Sequence, residues 1–145
     1  MKTKTGQKAG TQLLEELPME FNDNEILSLV SENDVNWRYV KTIKEIAPFN
    51  DERISKWLDV SVKTFRTYKQ PQNKLKDALK ERILLLLSLS RHGNKVFGSK
   101  KEFETWINTD NFYFDNKSPD TFLTTVTGTR FVIDRLIAME FGDNI

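Results

Sequence analysis

Residues 57–69 read WLDVSVKTFRTYK. An apolar helix ends here, a tight turn follows, and a second helix begins with Lys63 and Arg66 outward. Asn50 is a natural cap for a helix over 51–59, in which Ile54, Trp57 and Leu58 fall at i, i+3, i+4. Ser61 is a natural cap for a helix over 62–69. In that helix Phe65 and Tyr68 point one way and Lys63, Arg66 and Lys69 another. This is the layout of a helix-turn-helix, whose second helix enters the major groove of DNA. Ile54, Leu58, Val60, Phe65 and Tyr68 would lock the two helices. Lys63, Thr64, Arg66, Thr67 and Lys69 would be the DNA-binding donors. A plain helical corner packed in a core has the same pattern. Asp59 stands where such turns usually carry glycine, and Asp tolerates a left-handed backbone better than most residues.

The flanking sequence is helical throughout. Gly and Pro are few and apolar residues recur at threes and fours. Short helices are expected over 12–17 and 25–30, with Asn24 capping the second. A helix over 36–47 carries Trp37, Val40 and Ile43 on one face and stops at Pro48. A long helix over 74–91 contains ILLLLSL, apolar on all sides, and so must be buried or lie at an interface. Gly93 is read as its stop. Ser99 and Glu102 have capping-box spacing, worth about 1 kcal/mol, ahead of a helix whose core face is Phe103, Trp106 and Ile107. Residues 108–117 form a polar–aromatic loop, and Ser118-Pro119 starts a short helix. Thr125 caps a last helix over 126–141, and Gly142 ends it. The fold class is therefore all-α. A flexible lead-in occupies 1–12, a helical part with the helix-turn-helix at about 50–69 occupies 13–92, and a further small helical domain occupies 93–145.

Composition narrows the function. The 145 residues include no cysteine, which removes disulfides, thiolate nucleophiles and cysteine zinc sites and fits a cytoplasmic setting. The longest apolar run, 83–87, is far below the roughly 20 residues needed to span a bilayer. Net charge is only +1, but residues 41–82, the segment that contains the helix-turn-helix, hold eleven basic and six acidic groups, a local +5. His92 is the only histidine and has no metal-ligand partner at useful spacing; it reads as structural or solvent-facing. No phosphate loop, HExxH or nucleophile elbow occurs, and Asp110, Asp115 and Asp120 lack calcium-loop spacing. No catalytic residue, metal or cofactor is expected.

Residues 97–142 read FGSKKEFETWINTDNFYFDNKSPDTFLTTVTGTRFVIDRLIAMEFG. This resembles, without a gap, the C-terminal toxin-binding domain of Xre/MbcA/ParS-type antitoxins. The family pattern is approximately FGS…F..WL..PN..LGG..P..LL.T..G...V.D.L.RIEYG. Phe97, Gly98, Ser99, Phe103, Trp106, Asn111, Pro119, Leu123, Thr125, Gly128, Val132, Asp134, Leu136, Glu140 and Gly142 fall in place. ISKWLDVSVKTFRTYK also looks like the family's DNA-binding element, so the resemblance covers about 36–142. Asp110 replaces the usual Pro, Asp115-Asn116 the Gly-Gly pair, and Ala138 an Arg that commonly precedes the ending. The resemblance implies a cytoplasmic, dimeric antitoxin paired with a co-encoded RES-type toxin that consumes NAD⁺. Its last helix and tail would plug the toxin, and the complex would repress its own operon by binding operator DNA. The toxin-binding residues so implied are Glu140, Phe141, Gly142, Asp143, Asn144 and Ile145, with Arg135 beside them. A stand-alone helix-turn-helix regulator and a protein-binding module with a degenerate helix-turn-helix are the alternatives.

Overall fold

The computed structural model describes residues 9–32 and 34–142, with side chains from residue 12 onward. Among the described residues there are eight α-helices and no strand beyond one isolated bridge, so the chain is all-α. The helices are α1 (Ala9–Glu16), α2 (Asp23–Ser31), α3 (Trp37–Ile46), α4 (Asp51–Trp57), α5 (Val62–Thr67), α6 (Asp77–Phe97), α7 (Lys100–Asn108) and α8 (Val126–Glu140). Two 3-10 turns, Phe112–Phe114 and Pro119–Phe122, lie between α7 and α8.

The Leu-rich helix is the axle. α8 lies along α6 most extensively, and α2, α3 and α7 also pack on it, with α1 against α3. Ile83, Leu84, Leu85, Leu86, Leu87 and Leu89 are all buried, as an all-round apolar helix requires. One cluster of buried side chains runs from Leu13 to Met139, so the expected boundary at 92–93 falls inside α6. Two arginines tie the halves together. Arg82 donates to the carbonyls of Trp57 (3.1 Å) and Thr124 (2.9 Å), and Arg53 donates to Asn108 Oδ1 (2.8 Å).

Local sequence sets most helix starts. The side chains of Asn36, Asn50, Ser61, Ser99 and Thr125 each accept an amide of the first turn that follows. Two expectations are corrected. α2 is capped by Asn22, not Asn24: Asn22 has the extended backbone a cap needs and shares a reciprocal capping box with Glu25. Gly93 does not end the long helix. It lies inside α6, and the stop is Gly98, whose φ of +76° suits glycine. Gly93 serves packing instead: a Cβ there would lie 2.2 Å from Cζ of Phe103 on α7. α1 starts at Ala9, inside the stretch read as a lead-in. Residues 1–8 and 143–145 lie outside the described residues.

Candidate functional site

The α4–turn–α5 corner packs on the side chains expected to lock it. Ile54, Leu58 and Phe65 are buried, with Val60 and Tyr68 packed at the edge. Asp59 takes the left-handed backbone at φ +60°, and the Val60 amide reaches back to the Ser55 carbonyl at 3.0 Å. Lys63, Thr64, Arg66, Thr67 and Lys69, the five expected donors, are all exposed on and just after α5. Thr67 Oγ1 donates to the Thr64 carbonyl at 2.6 Å. Lys69 Nζ stands 5.8 Å from the centre of the Trp37 ring.

Arg66 is already engaged. Its Nε donates to Asp51 Oδ2 at 2.9 Å, and a terminal nitrogen lies 3.8 Å from Glu52. Lys44 holds the other Asp51 oxygen at 2.5 Å. Asp51 thus clamps α5 to α3 and aims Arg66 along the surface. Lys41, Lys44 and Lys69 line one open groove of about 500 Å³ beside Trp37. The two α3 lysines extend the basic face and were absent from the sequence-derived set. Their signal is modest: a three-residue spacing on the polar side of an amphipathic helix.

The Asp51 clamp gives a pH prediction. The hydrogen bond from Lys44, followed by that from Arg66, holds the Asp51 carboxyl below its ordinary range, against the opposite pull of burial. A carboxylate depressed in the folded state binds fewer protons there than in the unfolded chain. Its stabilisation is present above the unfolded pKa, about 3.9, and fades as pH falls through the lower folded value. On acidification through that range, the Asp51→Asn thermal midpoint should therefore fall less than wild type; parallel falls would show that Asp51 carries no linkage.

The C-terminal half has a different surface. α8 buries Val132, Leu136 and Met139 against α6 and leaves Phe131 partly exposed. Arg135 lays its guanidinium 3.6 Å from the centre of the Tyr113 ring. Phe141, just past the helix, is 79% exposed, and Gly142 follows with φ +102°. These two and Arg135 are at or near the surface, as a partner contact requires. Asp143, Asn144 and Ile145, expected to join them, lie outside the described residues.

Glu140 points inward. Its side chain is 8% exposed and contacts Nδ1 of His92, while Lys95 Nζ lies 3.5 Å from its other oxygen. His92 is fully buried in the body of α6, which places it among structural histidines. Among the described residues no cluster of potential metal ligands occurs.

The loop over 108–117 is more ordered than its polar composition suggests. Asn111 and Lys117 form an antiparallel bridge, and the Asn111 side chain accepts the Tyr113 amide at 2.9 Å. Asp115 and Asn116 both adopt φ +59°, the region that a Gly-Gly pair would occupy without cost. Phe114 is driven inside against Trp106, Phe122 and Phe131, which leaves Phe112 and Tyr113 outside. The sequence marked this loop as aromatic but not which rings face water.

No helix among the described residues is long and apolar enough to cross a membrane. Compared with known proteins, residues 92–142 match the antitoxin Xre/MbcA/ParS C-terminal toxin-binding domain. No curated protein matches the chain.

Proposed function

We propose, because residues 92–142 match the Xre/MbcA/ParS antitoxin toxin-binding domain, that the chain neutralises a co-encoded toxin by covering its active site. The toxin expected from the resemblance is a RES-type enzyme that consumes NAD⁺. Inhibition is stoichiometric occlusion without turnover. The observation that carries this reading is the matched segment closing on an exposed Phe141 at the end of a helix pinned to α6. An exposed aromatic at the end of an anchored helix is a fitting anchor for a partner pocket. Arg135, Gly142 and residues 143–145 complete the contact. The test is co-expression with the neighbouring gene product, scored by growth and co-purification. Phe141→Ala combined with deletion of 142–145 should abolish rescue while circular dichroism stays unchanged. Retained rescue by that altered chain refutes tail occlusion.

The same protein, as a cytoplasmic homodimer, is proposed to repress its operon through α4 and α5. Support comes from the local +5 charge and the common exposure of Lys63, Thr64, Arg66, Thr67 and Lys69. Phosphate contacts make log affinity fall linearly with log salt, and losing one cation should reduce the slope by about 1. Lys63→Ala and Lys69→Ala are each expected to do so on operator DNA. A salt-independent affinity in the wild type leaves a protein-binding module with a degenerate helix-turn-helix. A harmless neighbouring gene product leaves a stand-alone regulator.

A further inference from the structure

Five large hydrophobic side chains are exposed among the described residues: Leu27, Phe112, Tyr113, Phe131 and Phe141. Four of the five lie within the segment matched as toxin-binding. Phe141 belongs to the tail already assigned. Phe112 and Tyr113 do not: they sit on the loop between α7 and α8. We propose that this loop is a second toxin contact, beyond the tail and adjoining it through Arg135, with Phe112 as its inserted anchor. The proposal rests on the antitoxin reading and adds to it a surface that the tail mechanism does not require.

Three features set this pair apart from ordinary surface aromatics. Phe112 is 81% exposed, a display that water opposes, and its ring meets Tyr113 edge-on. The loop beneath is preorganised by the Asn111–Lys117 bridge and the Asn111 side chain, so little order remains to be imposed on docking. Arg135 sets its guanidinium over the Tyr113 ring, 3.6 Å from the centre, and so ties that ring to α8. An exposed Phe beside a Tyr–Arg stack has the composition that dominates interface energetics.

The adjoining groove, about 320 Å³, is lined by Trp106, Asp110, Phe112 and Tyr113, among others. Asp110 is the one charged side chain among those lining the groove, and it is exposed; Asp115 and Lys117, also exposed, lie further along the loop. The complementary surface is therefore an apolar pocket with a basic rim. A second copy of this chain would bring the same Asp110 carboxylate to that face, which favours a different protein as occupant.

The test measures binding of the co-encoded toxin to the full chain, its Phe112→Ser and Tyr113→Ala single variants, and the double variant. Thermal melts and size-exclusion chromatography accompany each. The double variant should bind at least about tenfold more weakly, with unchanged melting and oligomeric state. Amide exchange on the wild-type complex should show protection across 110–117, which tests the contact without any substitution. Unchanged affinity and no protection there, with the wild type binding normally, overturns the second contact and leaves the tail mechanism intact. A wild-type chain that does not bind the toxin overturns the antitoxin reading and this contact with it. A dimer that falls apart on substitution, at unchanged toxin affinity, assigns the loop to self-association and overturns the proposal.

Discussion

Gly128→Ala should cost about 3 kcal/mol or more, enough to threaten a domain whose whole stability is about 5–15 kcal/mol. A Cβ built at Gly128 lies 1.9 Å from the carbonyl oxygen of Phe122 and 2.9 Å from Thr125 Oγ1. Neither group moves cheaply. The Phe122 carbonyl is backbone at the end of a 3-10 turn, and Thr125 Oγ1 is the cap that accepts the Gly128 amide at 2.9 Å. Relief would need the entry of α8 to swing away, which would draw Val132 and Leu136 out of the core. The sign makes the test sharp, because alanine normally stabilises a helix by about 1 kcal/mol relative to glycine. Gly93→Ala should destabilise less, by about 1–3 kcal/mol, since the obstacle is the far end of the Phe103 ring rather than backbone. Urea titrations of both variants check the order. A Gly128→Ala protein as stable as wild type would mean that α8 does not approach Phe122 this closely.

What the sequence revealed and what it concealed divide mostly along contact range, the shift of the α2 cap from Asn24 to Asn22 being a local exception. A cap is an event within three residues, and Asn50, Ser61, Ser99 and Thr125 all cap as their context indicates. The burial of Phe65 and the left-handed turn at Asp59 are nearly as local. Gly93 is different. A glycine after a run of leucines looks like a stop, and only the arrival of Phe103 from the next helix shows that it is a contact point. Asp51 is likewise unreadable as a clamp until α3 and α5 bring Lys44 and Arg66 to its two oxygens. In the aromatic loop, composition cannot say which ring goes in. Phe114 is selected because the left-handed pair Asp115–Asn116 turns the chain just after it.

Glu140→Ala should be the second severe substitution, and it separates two roles for this residue. The family pattern places Glu140 beside the toxin-binding ending, whereas the structure turns it inward onto His92, 48 residues away in sequence. With His92 fully buried and Glu140 nearly so, removing the carboxylate strands the imidazole without its Nδ1 partner. Nε2 already has no partner among the described residues, so nothing on the ring compensates. Leaving a buried donor without its acceptor costs about 1–3 kcal/mol, and more where the lost partner was charged. The Lys95 contact adds little, because that side chain is 61% exposed and solvent screens it. Glu140→Gln keeps the shape and an amide oxygen to accept from Nδ1–H, so it should cost only about 1 kcal/mol. The pair sits directly before Phe141, and losing it frees the end of α8 from α6. Glu140→Ala should therefore weaken toxin neutralisation as well as stability, while Glu140→Gln should spare both. If Glu140→Gln stays stable yet loses the toxin, the carboxylate meets the partner directly and must leave His92 to do so. If both variants melt like wild type, the pair holds nothing. A double-mutant cycle with His92→Ala completes the test: a brace gives a coupling of about 1–3 kcal/mol, an independent contact gives none.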